Sequence, residues 1–469
     1  MRSRDFIVFH LGALFSHYRI VALLPNMFKE KEHFIKVCPP LPCRVFISDG
    51  KKEVIGFLTE LSENAAGLTM STAHGKAIKN ESKSSIDIVY AEDKIFSFNV
   101  IWKDQKKSCS SSQVNFRAKF KNHKYIDELM SLLRKEQHIA ICRDQDVEAS
   151  DKDTGFDDYA FVPKTLPDLD WSDIDIKTKF LGKVFGAPFL IECMTGGIKE
   201  AQTINHRLAS AASKYSIPFG VGSVRLAVDL PKYIKIFDVK TEHRDVFLIG
   251  NIGISQILQE DSHNSIYRVL EGLKADAIAV HLNVMQELVQ IEGNKNFKGA
   301  IKSLKNFVKS APFPVIAKEV GFGIDPDTFG ELVESGVRAI DLGGKGGTSW
   351  VYVEGLRSSS ESVKQFGRTF RDWGIPTAVN LSCLRELQNT DVEIVASGGI
   401  RDGLMAAKSL ALGARMVGIG LPLFRAALQN EEAPSIFLEQ IIKELKISMF
   451  GSGCSVAGKL KGSLYNKYK

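Results

Sequence analysis

Four polar residues lie within one short stretch of the chain: His281, Asn283, Gln286 and Glu287, in the pattern HLNxxQE. An imidazole, two amides and a carboxylate in one loop can bind an anion, hold a metal ion and transfer a proton. The alternative is an ordinary polar helix start, with Asn283 as the N-cap and Gln286 as its capping-box partner. The four residues together favour a functional site over a cap alone.

A lysine inside an apolar segment is the second candidate. Lys318 lies in VIAKEVG, which is otherwise typical of a buried strand. A buried charge is costly unless it is paired. Two interpretations therefore stay open: an ion pair with Glu319 or Asp341, or a cation that faces a flavin ring, where reduction leaves negative charge.

Basic residues and glycines supply two further candidates. Arg134, Lys135 and His138 form the pattern RKxxH, in a segment with helical apolar spacing over 122–137. This cluster is either a solvated helix face or an anion-binding arm. Glycine pairs such as Gly398 and Gly399 let backbone N–H groups approach a phosphate closely.

Eight short apolar runs must position these residues, and amphipathic stretches separate most of them. The runs are 188–193, 219–223, 246–251, 277–282, 315–319, 339–343, 394–397 and 416–420. This alternation predicts parallel strands buried on both faces, and eight units predict a closed (β/α)8 TIM barrel of the α/β class. A doubly wound open sheet is the alternative, but the count closes at eight and no GxGxxG opens the series. In such a barrel the residues after each strand meet at one mouth.

The first part of the chain has a different pattern. Short strand-like runs separated by polar turns predict a small antiparallel barrel or sandwich. The runs are 43–48, 53–61, 85–90, 96–103 and 113–120. We therefore divide the chain into an N-terminal β-rich domain, 1–125, and a barrel domain, 126–469.

Composition narrows the protein class. The chain has 469 residues, a net charge of +6 and seven cysteines. The cysteines are scattered without a CxxC pair, which is typical of a reducing cytosol and argues against a zinc site. The apolar stretch in the first 25 residues is interrupted by His10, His17 and Arg19, too polar for a membrane span. We expect a cytoplasmic protein with no membrane or nucleic-acid partner.

The motifs, taken in order, closely resemble type 2 isopentenyl-diphosphate isomerase over 134–423. The set comprises RKxxH at Arg134, TGF at Thr154, MTGG at Met194, GVGSxR at Gly220, NIG at Asn251, HLNxxQExxQxEGxxxFxG at His281, KEVGFGI at Lys318, GGTSW at Gly346, WGIPT at Trp373 and ASGGIR at Ala396. Each motif is weak alone, but the ordered set is specific.

The resemblance implies an enzyme that interconverts isopentenyl and dimethylallyl diphosphates with reduced FMN, Mg²⁺ and NADPH as the reductant. It also implies a homo-oligomer, a tetramer or octamer. Matching positions assign substrate binding to Arg134, Lys135, His138, Ser223, Arg225 and Gln286, catalysis to His281, Asn283 and Gln286, and metal binding to Glu287. They assign FMN binding to Thr195, Gly196, Gly197, Ser223, Asn251, Lys318, Thr348, Gly398 and Gly399.

The chain departs from the family pattern in two places. Glu192 and Cys193 precede MTGG, where the family usually has small residues. About 130 residues also precede RKxxH. They weakly resemble a PilZ domain at a polar turn, 60–67, but lack its paired-arginine motif, so we expect a structural or oligomerising role and not nucleotide binding.

Two other functions remain open. An FMN-dependent oxidoreductase of a 2-hydroxy acid can use the same barrel, but it needs neither HLNxxQE nor RKxxH. A regulatory protein with a degenerate flavin-binding barrel is the third possibility, and the intact motif residues argue against it.

Overall fold

The structure is a computed structural model. It describes the backbone of six N-terminal segments and, from 126 onward, residues 126–384 and 391–468, with side chains from 128. The first 25 residues, the central residues of the 60–67 turn and the boundary at 125 lie outside this description. Among the described residues, no helix combines the length and apolar character needed to cross a bilayer.

Six N-terminal strands form a small closed antiparallel barrel. They are β1 Ile35–Ile47, β2 Lys52–Leu61, β3 Ala65–Ser71, β4 Lys83–Tyr90, β5 Lys94–Lys107 and β6 Gln113–Phe120. The strand order is β1-β2-β3-β6-β5-β4, and β1 and β4 close the barrel. This confirms the predicted β-rich architecture, although β3, which is rich in small residues, was not predicted from the sequence.

A long helix, α1, follows over Ile126–Asp144 and carries the RKxxH residues. It buries Leu129, Leu132 and Leu133 against the barrel core, as the helical spacing predicted. The opposite face of the same turns presents Arg134, Lys135 and His138. The packing of α1 against the core therefore fixes the position of Arg134, Lys135 and His138 relative to the barrel.

Eight parallel strands close a second barrel in sequence order. They are β10 Phe189–Ile191, β11 Phe219–Gly220, β12 Leu248–Gly253, β13 Ala277–His281, β14 Val315–Lys318, β15 Ala339–Asp341, β16 Glu393–Ala396 and β17 Met416–Ile419. The strands coincide with the predicted apolar runs. Pairing of β10 with β17 closes the sheet, so the (β/α)8 prediction is confirmed and the open-sheet alternative is wrong.

Helices surround this barrel. They are α2 Lys199–Tyr215, α3 Arg225–Asp229, α4 Ile254–Ile257, α5 His263–Gly272, α6 Val284–Val289, α7 Ala300–Ser310, α8 Pro326–Glu334, α9 Trp350–Arg357, α10 Glu361–Thr369, α11 Thr377–Leu384, α12 Gly403–Ala411, α13 Leu421–Gln429 and α14 Ala433–Gly451. The long connection after β15 thus contains two helices, α9 and α10, before α11. In this connection the backbones of Gly355 in α9 and Gly367 in α10 are in contact. A Cβ on either glycine would therefore clash with the other.

A β-hairpin closes the base of this barrel. Strands β8 Thr178–Phe180 and β9 Lys183–Phe185 pair with each other, and Phe180 and Phe185 pack among the inward side chains of the barrel strands. The Phe185 ring meets Phe247, just before β12, at 5.3 Å. Two further strands, β7 Tyr159–Phe161 and β18 Leu464–Asn466, pair outside the barrel. The base is therefore apolar and filled.

Candidate active site

The barrel interior changes from apolar to polar in one step along its strands. Strand side chains alternate faces, so residues two positions apart share the interior. The apolar layer consists of Leu190, Ile249, Ala279, Ile316, Ala339, Val395 and Met416. Two positions further along the same strands, a second layer consists of Glu192, Asn251, His281, Lys318, Asp341, Ser397 and Gly418. We call this second layer the polar floor.

Lys318 is the only cation among the polar-floor residues. Its Nζ lies 2.7 Å from Asp341 Oδ2 and 2.9 Å from Glu192 Oε2. Burial alone lowers its pKa, but the two carboxylates more than offset that and hold the pKa above its ordinary value. Ser397 Oγ donates to the other oxygen of Asp341. Lys318 is therefore a charged lysine held in place by a buried ion pair.

Glu319, the other carboxylate suggested as a partner for Lys318, has different contacts. Its Oε2 accepts hydrogen bonds from the backbone N–H groups of Val320, Gly321 and Phe322 at 2.6–2.7 Å. Burial raises its pKa to about 7, against the effect of these bonds. Glu319 thus shapes the turn after β14 and does not pair with the lysine.

His281 is positioned by its neighbour in the polar floor. Its Nδ1 lies 2.7 Å from Asn251 Oδ1. An amide oxygen only accepts, so Nδ1 carries the proton in this pair and Nε2 is the basic atom. Burial, Lys318 and Lys135 lower the pKa of His281 to about 3. The imidazole is therefore neutral near pH 7.

The rest of HLNxxQE forms a compact set at the start of α6. Asn283 Nδ2 donates to Glu287 Oε1 at 3.2 Å and to Gln286 Oε1 at 3.3 Å. Glu287 Oε2 accepts from the backbone of Asn294 at 2.7 Å. Asn283 makes no side-chain cap hydrogen bond, so the capping-box alternative is wrong. Its buried Oδ1 has no protein partner among the described residues, and with the Glu287 carboxylate it offers oxygen ligands of the kind Mg²⁺ prefers.

Cationic side chains from α1 and the loop after β11 stand over this set. Lys135 Nζ donates to the Ser223 backbone oxygen at 3.3 Å, and Arg225 is half-exposed beside Asp229. Burial, Arg134 and Arg225 lower the pKa of Lys135 to about 7. Arg134 and Arg225 each lie near one acid, Glu292 at 3.7 Å and Asp229 at 3.4 Å, whereas Lys135 has no salt bridge among the described residues. Three like charges held this close favour the binding of an anion.

A buried glutamate that sequence reasoning missed connects these elements. Glu354 of α9 is 1% exposed, and its Oε1 lies 3.0 Å from His138 Nε2 and accepts from Gln286 Nε2 at 2.9 Å. Its Oε2 accepts from Arg357 at 2.8 Å, and Arg357 also reaches Glu292. Burial raises the pKa of Glu354, but Arg357 and His138 dominate and hold it well below its usual range. No motif marks this residue.

Glycines line the other side of the mouth. Gly398 and Gly399 have φ of 106° and 74°, and a Cβ on Gly398 would collide with the backbone oxygen of Gly344. Arg401 ties these loops together, since it donates to the oxygens of Gly399 and Gly346, both at 2.6 Å. These glycines therefore let the loops after β15 and β16 pack backbone against backbone. Gly398 and Gly399 also line a pocket, and we call this backbone lining, which suits a phosphate, the glycine cradle.

The predicted site residues line two adjoining pockets that share Lys318. Arg134, Lys135, His138, Thr195, Gly196, Ser223, Arg225, Asn251, His281, Asn283, Gln286 and Glu287 line the first, while Thr348, Gly398 and Gly399 line the second. Gly197 lines neither; it packs under the Lys135 side chain, which a Cβ would displace. Cys193 lines both, but burial first, then Glu192, raises its pKa to about 12, so it is no nucleophile.

The comparisons with known proteins agree with this geometry. The family model for FMN-dependent dehydrogenases matches residues 259–467. Isopentenyl-diphosphate delta-isomerases of Nostoc sp. and Pyrococcus horikoshii are 40% identical to this chain, over 72% and 69% of it and 96% and 88% of their own lengths. That of Rickettsia bellii is 38% identical over 71% of this chain and 97% of its own.

The fold is also similar to that of solved structures. A flavocytochrome b2 variant with bound sulfite aligns with a TM-score of 0.53 at 18% identity, over 72% of this chain and 84% of that one. At this identity the match shows the barrel alone. The relatives above, matched over nearly their full lengths, show more: the chain belongs to the isopentenyl-diphosphate delta-isomerase family, in its type 2 form built on an FMN-type barrel.

Proposed function

We propose that this protein interconverts isopentenyl diphosphate and dimethylallyl diphosphate, with reduced FMN and Mg²⁺ as cofactors and NADPH as the reductant. One observation carries the proposal. A basic arm, a carboxylate–amide set and a buried lysine converge on one cavity that continues into a glycine cradle. These are the groups needed for a diphosphate, a divalent cation and a flavin phosphate and ring.

Binding begins at the basic arm. Arg134, Lys135 and Arg225 bind the substrate diphosphate, with Ser223 and His138 beside them. Glu287 holds Mg²⁺, which neutralises part of the diphosphate charge. This remote binding energy positions the small alkene, which has little surface of its own to recognise.

The alkene then lies against His281, Asn283 and Gln286. Moving the double bond by one position requires a proton to be added at its outer carbon and another to be removed from the carbon two positions away, on the other side of the branched carbon. Reduced FMN, when bound, supplies an electron-rich ring that can carry the proton and stabilise a cationic substrate. Gln286, fixed by Glu354, and an ordered water are the candidates for the second proton transfer.

The polar-floor residues would bind the FMN cofactor. Lys318 lines both pockets and would hold the flavin at the edge where reduction leaves negative charge. Thr195, Asn251 and the Gly398–Gly399 backbone would hold the rest of the cofactor. Thr195 Oγ1 already donates to the buried Asn205 at 2.9 Å, so its orientation is fixed before any ligand binds.

Three broader expectations belong to the same proposal. We propose that the enzyme acts in the cytoplasm, with no nucleic-acid or membrane partner. We also propose a homo-oligomer, a tetramer or octamer, which size-exclusion chromatography with light scattering tests directly. A monomer at micromolar concentration would contradict it.

A product assay tests the central claim. The purified protein is loaded with FMN, reduced anaerobically with NADPH or dithionite, and given Mg²⁺ and isopentenyl diphosphate. We expect dimethylallyl diphosphate with no net oxidation of the flavin. Bound, reduced FMN without product overturns the isomerase. Turnover-linked flavin reduction by a 2-hydroxy acid would establish the oxidoreductase instead.

A further inference from the structure

Glu192 is a buried carboxylate that the proposed reaction does not use. It follows Leu190 on the inward face of the first barrel strand, is 6% exposed, and lines the glycine-cradle pocket. A Cβ on Gly418 would overlap its Oε1, so the neighbouring strand leaves room for this side chain. A long acidic residue here departs from the small residues usual in the family.

The contact of Glu192 with Lys318 does not satisfy it. The two charges lie 2.9 Å apart, yet neither carboxylate oxygen has a hydrogen bond of good geometry from a described residue. Lys318 is already neutralised by Asp341 at 2.7 Å, which Ser397 supports. A purely structural ion pair would therefore need only Asp341. Two ionised carboxylates beside one cation leave an uncompensated buried negative charge, which is costly.

The other groups around Glu192 keep one protonation state near pH 7. Lys318 holds its proton, burial keeps the Cys193 thiol neutral, and burial keeps His281 neutral. Asp341 is the second acid of the ion pair. Burial and Asp341 raise the pKa of Glu192 to about 8, with Lys318 acting the other way. Glu192 is thus the floor residue poised to change charge.

We propose that Glu192 is a positioning residue that takes up a proton when the bound flavin is reduced, at the alkaline pH values where the oxidised enzyme holds it as a carboxylate, so that the charge beneath the ring is compensated. The inference rests on FMN binding in the proposed function. The balance is simple: two electrons and one proton convert FMN to its reduced anion, and a second proton converts the Glu192 carboxylate to the acid. No bond to carbon forms or breaks at Glu192.

Reductive titration of the holoenzyme tests this, with dithionite and reference dyes from about pH 6 to about pH 10, which spans the raised pKa of Glu192 from both sides. In the wild type we expect proton uptake per two electrons to rise from one to two as pH passes the pKa of Glu192. Glu192→Gln should take up one proton throughout. At the alkaline end of the range, the preference of Glu192→Gln for reduced over oxidised FMN should exceed that of the wild type at least tenfold. For a two-electron couple this corresponds to a reduction potential of bound FMN that is higher by about 30 mV.

Two further variants keep the result decisive. Glu192→Ser removes the carboxyl with a smaller side chain and must behave like Glu192→Gln. Glu393→Gln alters a carboxylate at the base of the barrel, which accepts from the Leu181 backbone, and must leave the titration unchanged. Identical pH profiles for wild type and both Glu192 variants overturn the inference alone. Correct profiles in an enzyme that forms no dimethylallyl diphosphate overturn only the isomerase proposal. A wild type that binds no FMN overturns both.

Discussion

His138 Nε2 and Glu354 Oε1 lie 3.0 Å apart and join two elements that are 216 residues apart in sequence. The first is the basic arm, α1, and the second is the helix after the sixth barrel strand. The His138 ring also meets Trp350 edge-on at 5.4 Å. These two contacts therefore fix α1 against α9 at the mouth of the barrel.

Glu354→Gln should lower both stability and substrate affinity. The change leaves Arg357 with only the less buried Glu292 as an anion, and breaking a buried pair costs up to about 3–5 kcal/mol. We expect a lower urea midpoint and a raised KM for isopentenyl diphosphate. The exposed Glu331→Gln is the control and should match the wild type. A Glu354→Gln protein of unchanged stability would contradict the buried network.

Glu287→Gln should raise the Mg²⁺ requirement. Glutamine keeps the shape and can still accept from Asn294, but it removes the negative charge that attracts the cation. We expect the Mg²⁺ concentration at half-maximal activity to rise roughly tenfold or more, in line with typical losses at perturbed metal sites. Magnesium titration of isomerisation measures it, with Glu334→Gln as the control. An unchanged requirement removes Glu287 from the metal role.

Lys135 should make diphosphate binding pH-dependent. Its pKa is lowered to about 7, so the free enzyme loses this charge as pH rises through that value. We expect KM to rise above pH 7 by about tenfold, the worth of one charge-assisted hydrogen bond. Lys135→Arg, always charged, should lack this rise; since both proteins see the same substrate ionisation, their ratio isolates the lysine. Parallel profiles would contradict the assignment.

The lowered pKa of Lys135 also makes the stability of the folded protein depend on pH. The lysine is charged in the unfolded chain below its ordinary pKa of 10.5 but prefers the neutral form when folded. Its contribution to stability is therefore greatest above pH 10.5 and is lost as pH falls toward about 7. Added inorganic pyrophosphate should offset this loss, which thermal unfolding with and without the anion measures.

Gly418→Ala should destabilise the barrel because the new methyl overlaps the Glu192 carboxylate. Overpacking of this kind costs about 1–3 kcal/mol. The double variant with Glu192→Ser should recover part of that loss, since the smaller side chain vacates the space while the close approach to Ser397 Cβ, 2.9 Å, stays. Urea unfolding of the two single variants and the double variant measures the coupling. Strictly additive effects would show that the two residues do not share the space.

The barrel was predictable because its strands are buried on both faces and read as continuous apolar runs. The N-terminal strand β3 escaped prediction since AAGLTMS lacks the β-branched and aromatic residues that mark strands. The connection after β15 contains two helices in close contact, α9 and α10, which the sequence did not predict. These depend on Gly355 facing Gly367, a pairing that only the folded chain reveals.

The site was partly predictable for the same reason. Residues at strand ends must meet at the mouth, so the strand pattern alone places His281 and Lys318 together. It does not place Glu354, because a lone glutamate in WVYVEGLR resembles the exposed side of an amphipathic helix. Two of its partners, His138 and Gln286, come from segments distant in sequence, and the third, Arg357, lies one turn along the same helix. The charge state of Glu192 likewise depends on Asp341, which is distant in sequence.

The hairpin of β8 and β9 closes one end of the barrel. With Phe180 and Phe185 filling the base, the two pockets lie, among the described residues, at the opposite end of the strands. Under the proposed function the flavin would rest on the polar floor beneath the substrate. We therefore expect ordered loading, cofactor first and diphosphate second, and a saturating diphosphate should slow the exchange of flavin with the medium.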